Sequence, residues 1–490
     1  MQRVKQNKWL AVFLSFALVV SMLSCMAFGA SASGAVATIG DQSFETLSAA
    51  VSAAGTDGLG TEIVLTDSIT DCSAIAIRDK EITIDLGGHS IGFAKNKYFL
   101  IQGGTLNLTG TGRVYEQQPY FAPVLMKGSA DENAENYSVV NVGSDVELEG
   151  WSGLFIDNTN PNSNYGIVAN VYGTLVSVED ITSAGGHGLY VNGSIANTEG
   201  SVPKITLDGA EVINRDGGNG MYLAGYTETV IKNSTITSSV EGSTGIEIRA
   251  GRLTIINSTV TGGSGEFESI ANGNGATSRN AGLAVAQHTT GLPLVVKVEG
   301  GTFTGGAAFS EANPEKNNDE AVEKVDIEIN GGSFDGEVLS EDKEGFISGG
   351  EFSTAIDKKF VYPGLSTETD DEGNVTIKKF DTVYINGTAG DDANNGEDSS
   401  KAVKTLDRAK KLVAENGLIY ACGQINVSET ETLSNVTVKR AEGYHGKIFN
   451  VDGSWGANGD VEFTMTGVTV DGENNEDTDL YGYLVMVTNG

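Results

Sequence analysis

The 490-residue chain has few of the residues that build compact chemical centres. It holds three cysteines and four histidines. His89, His187, His288 and His445 are scattered, so no Cys/His metal-ligand spacing exists. Cys72 and Cys422 read as two small buried thiols, which gives no disulfide framework. Bases are outnumbered, with 31 Lys and Arg against 65 Asp and Glu and a net charge of −34. That balance argues against nucleic acid and against anionic membranes as partners. Proline is rare at 7 residues while glycine reaches 65, and a hydrophobic content of 39% is enough for an ordered core.

Long apolar runs are missing except near the start. Arg3, Lys5 and Lys8 precede an apolar stretch from Leu10 to about Met22, and Ala30-Ser31-Ala32 forms an A-x-A cleavage site. This is the layout of a secretory signal peptide over residues 1–32, too short for a single-span anchor. Cys25 would leave with it. So would three bases and no acid, which takes the net charge from −34 to −37. The expectation is an extracellular protein, secreted or at the cell surface, with no membrane insertion once the leader is gone.

What the chain does have is repetition. "VIKNSTITS", reaching Ile236, and "LTIINSTVTGG", reaching Val260, are near copies. The same form, apolar-x-apolar-x, an Asn/Gly/Asp corner, then apolar-x, is read at Ile181, Val212, Phe303, Phe334 and Phe352. A second phrase, Gly-apolar-x-apolar, interleaves with it at Gly166, Gly188, Gly220, Gly245 and Gly282. Each unit therefore holds at least two short period-two strands separated by turns. Strands this short bury a core only by stacking unit upon unit, in parallel. Asn at the corners suits left-handed backbone, and stacked Asn side chains can bond along the axis. A leucine-rich repeat would need L-x-x-L-x-L at a regular period. Here β-branched residues dominate and the intervals range from 18 to 43 residues.

An open solenoid end needs a lid. "DQSFETLSAAVSAAG" places Phe44, Leu47, Val51 and Ala54 on one helical face, with Gly55 as its stop. A second such helix, with Leu406, Ala409 and Val413 on one face, follows a Pro-containing break near residue 380. Strand patterns then resume in "LIYACGQINV", "NVTVKRA" and "VEFTMTGVTVDG". The fold expected is all-β: a right-handed parallel β-helix over residues 33–380 with an N-terminal cap helix and a closing element. The start of a second, incomplete β-helix would occupy residues 381–490.

In this grammar, strongest over Val171–Phe352, the chain resembles the right-handed parallel β-helix (pectin-lyase-like) superfamily. The order of cap helix, strands and "IDLGGHSI" is similar to the start of large adhesin-like surface proteins of gut bacteria. The resemblance implies a fold and brings no catalytic motif with it. Function then rests on side chains. With Leu189, Met221, Ile246 and Leu283 pointing inward, Tyr190, Tyr222 and Glu247 point outward in register, with Arg249 beside them. Tyrosines flanked by polar groups are a candidate glycan strip, though stacked tyrosines also serve simply to cover a solenoid face. Arg215, Asp216, Lys232 and Arg249 have the residue types of a polyuronate lyase, but nothing in the sequence fixes their geometry. The loop "DDANNGEDS" offers Asp391, Asp392, Asn395 and Asp398 as calcium ligands, or as an Asx-turn leading into the helix. No other cofactor is implied. The reading expected is a non-enzymatic, adhesin-like module for an extracellular glycan or host surface ligand. The alternative is a polysaccharide lyase or glycoside hydrolase acting on an acidic polysaccharide.

Overall fold

The computed structural model describes residues 34–55, 60–129, 137–160, 166–178, 186–193, 202–273, 275–452, 461–473 and 484–488. The leader, with Cys25, and the phrase at Ile181 lie outside the described residues.

The alternation seen in the sequence becomes strands with alternating burial. Gly251–Ile256 buries Leu253 and Ile255 and leaves Thr254 and Ile256 half-exposed. Ser258–Thr261 follows after a corner at Asn257, whose φ of 46° is the left-handed geometry that Asn tolerates. The near copies pair residue for residue in parallel, Ile231 with Ile255 and Ile236 with Val260. Each strand pairs with its counterpart one unit later, and this rule builds three parallel ladders. The first carries Ile63, Ile84, Leu108, Val142 and Val171 in register, then Leu207, Ile231, Ile255, Val298 and Ile329, all fully buried. The second carries Leu175, Val212, Ile236 and Val260, then Phe303, Phe334 and Phe352. The last three rings stack at 4.8 and 5.0 Å. The third carries Leu189, Met221, Ile246, Leu283 and Phe309. The chain is thus an all-β, mostly parallel structure with few helices, compatible with a β-helix solenoid. Burial of a large apolar side chain is worth about 1.5–3 kcal/mol. Every unit adds several, so each stabilises its neighbours.

Four details differ from the sequence reading. Each unit has a third strand, which the two phrases only half announce. Val212 sits on Leu175, so the repeat before it ends six residues earlier than the Ile181 alignment. The bonded asparagine ladder is not at the corners but on the outward face of the first sheet. There Asn170 Nδ2 donates to Asn141 Oδ1 at 2.8 Å, and Asn141 Nδ2 to Asn107 Oδ1 at 2.6 Å. Corner Asn233 instead donates to Asp208. Corner Asn233 and Asn257 follow one another in register, but both take left-handed backbone and Asn233 turns its amide to Asp208.

The fourth detail concerns the helices. The first spans Leu47–Ala53, with Thr46 Oγ1 accepting from Ala49 N at 3.2 Å. It stops at extended Ala54 before Gly55, and Phe44 lies in the preceding strand, yet Phe44, Leu47, Val51 and Ala54 are all buried in one core. The second helix spans Leu406–Leu412 and buries Leu406, Ala409 and Leu412, while Val413 opens a strand instead. The hydrophobic core divides between these regions. One cluster runs from Ala37 to Ile377 and another from Val383 to Val451. After residue 380 the parallel pairing resumes, with Phe380–Ile385, Val413–Ala421, Thr437–Arg440 and Thr469–Asp471 in one sheet. Among the described residues no helix is long and apolar enough to cross a membrane.

Candidate functional site

The outward residues of the third ladder form a second register, from Leu100 through Leu125, Phe155, Tyr190, Tyr222, Glu247 and Ala284 to Ser310. Tyr190, Tyr222 and Glu247 do follow one another in register, as the alternation requires. Their surroundings divide them.

Tyr190 and Tyr222 line a cleft of about 330 Å³ together with Trp151, His187, Asn219 and Ser278. The rings are packed on one another. Phe155 and Tyr190 stack at 4.6 Å with 13° between planes, Tyr190 and Tyr222 lie 5.5 Å apart, and His187 lies 4.8 Å from Tyr222. Stacking occupies the faces, so the ladder offers edges and polar tips to a ligand rather than flat platforms. His187 enters this cluster without any sequence signal beyond its place just before the inner phrase at Gly188. Its Nδ1 accepts from Asn219 N at 3.1 Å, which places the ring proton on Nε2. Burial holds the imidazole neutral and pushes its pKa down to about 3. Burial also raises the Tyr190 and Tyr222 phenols, Tyr222 further through Glu247.

Glu247 and Arg249 are fully buried and do not line the cleft. The Glu247 carboxylate accepts from Thr277 N at 2.8 Å, Thr277 Oγ1 at 2.9 Å, Ser278 N at 3.2 Å and Asn219 Nδ2 at 3.2 Å. Burial raises its pKa, against the opposing pull of these donors and of Arg249. Arg249 Nη1 donates to Asn272 O at 2.8 Å, Gly275 O at 2.6 Å and Tyr222 Oη at 3.3 Å. Its Nη2 pairs with Glu315 at 3.1 Å. Both residues hold down the segment that crosses over them. Sequence reasoning found the register but had no means of seeing this cover.

A second depression of about 300 Å³ lies further along the same face, lined by Tyr98, Leu100, Gln102, Lys127 and Asp157 among others. Lys127 and Asp157 pair at 3.0 Å, and that pairing with the Thr159 bonds lowers the Asp157 pKa despite its partial burial. The residues with lyase-like chemistry do not converge. Lys232 ends a strand of the first ladder, Arg215 follows a strand of the second, and Arg249 follows one of the third. Arg215 is half-exposed, 3.7 Å from Glu149.

One side-chain oxygen of each proposed calcium ligand accepts from backbone N–H groups. Asp391 Oδ1 accepts from Ala393 N, Asp392 Oδ1 from Lys404 N and Thr405 N, Asn395 Oδ1 from Glu397 N, and Asp398 Oδ1 from Ser400 and Lys401. Asp392 thereby ties the loop to the start of the Leu406–Leu412 helix. Among the described residues no group of three or more His, Cys, Asp or Glu side chains is placed to hold a metal ion. No protein-family model, no curated protein and no solved structure matches this chain.

Proposed function

We propose that this chain is an exported, adhesin-like module that binds a glycan along the outer face of its third sheet, without turning it over. The single observation that carries the reading is the pair of clefts on that face, joined by the outward ladder Leu100–Leu125–Phe155–Tyr190–Tyr222. Aromatic edges beside unpaired polar groups suit the mixed apolar and hydroxylated surface of a sugar chain. The parallel ladders repeat about every 4.8 Å, which gives an extended polymer a series of equivalent contacts.

The finer architecture belongs to the same proposal. It is a right-handed, pectin-lyase-like β-helix over residues 33–380, capped by the Leu47–Ala53 helix. A second β-helix begins at residue 381 under the Leu406–Leu412 helix. The division of the hydrophobic core supports that boundary, and limited proteolysis that leaves no stable fragment ending near residue 380 would sink it. The lyase or hydrolase alternative draws less support. Its basic candidates Lys232, Arg215 and Arg249 sit on three different ladders, and Arg249 is buried.

The test exposes residues 33–490 to immobilised neutral and acidic polysaccharides, with calcium present, and follows both retention and new sugar ends. Retention without new ends is the expected result. New reducing or unsaturated ends make the protein an enzyme. Neither retention nor cleavage by folded protein rejects the glycan reading.

A further inference from the structure

The chemistry of the His187 cleft is narrower than that of a general sugar site. Three polar tips on its wall have no partner among the described residues: His187 Nε2, Asn219 Oδ1 and the Tyr190 hydroxyl. Two of them are fixed in role by bonds on their far sides. His187 Nδ1 accepts from Asn219 N, so Nε2 is a donor. Asn219 Nδ2 donates to Glu247, so Oδ1 is an acceptor. His187 and Asn219 are 7% and 3% exposed, and both line the cleft. They stand on successive units, where Gly188 N bonds Asn219 O, and so lie about one strand spacing apart. Trp151 Nε1 and Ser278 Oγ also lack partners but are sealed from solvent, and are not ligand contacts here.

Charge narrows the class further. Among the described residues the one cation on the wall is Arg279, an exposed side chain 3.5 Å from Glu268, and Glu247 lies just behind Asn219 and Ser278. A carboxylate or sulfate bonded to His187 would sit against the Asn219 amide oxygen with the Glu247 carboxyl behind it, and only an exposed, already paired arginine stands nearby. One fixed donor beside one fixed acceptor suits an uncharged group that both accepts and donates; a hydroxyl does so, and an acetamido group does so while adding a methyl. Ring edges of Tyr190 and Tyr222, with Ala276 and Gly275 nearby, leave an apolar patch for a methyl group.

We propose that this cleft is a subsite for the acetamido group of an N-acetylated hexosamine. Its carbonyl oxygen accepts from His187 Nε2, its N–H donates to Asn219 Oδ1, and its methyl group lies against the tyrosine edges. The inference rests on the glycan reading above and names the sugar class.

Saturation-transfer NMR on the full chain tests it, with N-acetylglucosamine, N-acetylgalactosamine, glucose and galactose as probes. The expected result is transfer to an N-acetylated sugar, strongest at the acetyl methyl, with affinity at least tenfold above its plain counterpart. His187→Phe keeps a ring in the stack, removes the donor, and is expected to lower that affinity at least tenfold. Equal binding of acetylated and plain sugars overturns the acetamido subsite while leaving a glycan-binding face. Transfer that bypasses the methyl group, or survives unchanged in His187→Phe, also overturns it. If none of the four sugars binds and the polysaccharide panel is retained, only the subsite fails. If neither binds, both readings fail. Should His187→Phe not fold, the comparison of acetylated and plain sugars on the unsubstituted chain still decides.

Discussion

From Leu100 to Tyr222 the outward ladder of the third sheet is apolar and aromatic and borders open clefts. From Glu247 to Ser310 the same ladder is fully buried although it faces away from the core. The strand geometry of the two halves is alike, and the difference lies in the chain between strands. Ile236 and Val260 pair 24 residues apart, but Val260 and Phe303 pair 43 residues apart. The added length includes Asn272, Gly275, Thr277 and Ser278, which bond Arg249 and Glu247. Glu311 repeats the device two units on, with its carboxylate accepting from Ser340, Glu341 and Asp342. Length alone does not decide it, since Phe155 and Tyr190 on the open half pair 35 residues apart; what buries the second stretch is a turn laid across it and bonded to Glu247 and Arg249.

The largest expected effect comes from breaking the covered half. Arg249→Ala removes the bonds to Asn272 O, Gly275 O and Tyr222 Oη and leaves Glu315 with Asn272 N alone, and is expected to cost about 3–5 kcal/mol. Hydrogen exchange should show residues 272–278 losing protection first. If that segment keeps its protection, Arg249 does not hold it.

Acid sharpens the comparison, because the two halves bury titratable groups of opposite sign. His187 has a folded pKa of about 3, below its unfolded value near 6.5. The unfolded chain takes up the proton first, so stability falls as pH drops through that window, by up to about 1.4 kcal/mol per pH unit. Glu247 has a raised folded pKa, so its contribution is present below about 4.5 and is lost as pH rises through the folded value. Denaturant titrations of His187→Phe against the parent should show a flatter pH dependence between about pH 3 and 6.5. Parallel curves would mean that His187 does not titrate as a buried neutral imidazole.

On the open half, Tyr190→Ala is expected to reduce glycan retention about tenfold, near 1.4 kcal/mol, with the cover over Glu247 still protected. A variant that loses the cover but not retention would reverse the roles assigned to the halves. Breaking the asparagine ladder by Asn141→Ala should cost about 1–2 kcal/mol, seen as a lower denaturation midpoint with unchanged retention. The smallest effect expected is from calcium. Millimolar calcium should leave the thermal midpoint of the parent and of Asp392→Asn equally unmoved, because the described carboxylates do not gather into a group of three and one oxygen of each is tied to backbone N–H. A calcium-dependent rise that Asp392→Asn abolishes would restore the loop as a metal site.

Much of the fold was legible because the constraint is local. A period-two pattern fixes which side chains face inward, and a repeated pattern fixes which residues stack, so Val212, Ile236, Val260, Phe303, Phe334 and Phe352 could be aligned in advance. The alignment failed at Ile181 because period two allows any even slip, and only pairing with Leu175 selects among them. The helix ends moved for a similar reason. Val413 satisfies a helical face on paper, but pairing with Phe380 draws it into a strand.

The candidate site was legible only as a register. That Tyr190, Tyr222 and Glu247 stack on an outer face follows from alternation alone. Whether an outer residue meets solvent depends on where a turn of variable length comes to rest, and alternation carries no information about that. Sequence thus determined the parallel, stacked architecture and the order of residues along it, because backbone pairing and apolar burial repeat at each unit. Tertiary structure decided that Glu247 and Arg249 are buried, that the aromatic faces are spent on one another, and that His187 shares a cleft with Asn219. Each of those outcomes joins residues from different units, and burial, tautomer and charge are properties of the assembled neighbours.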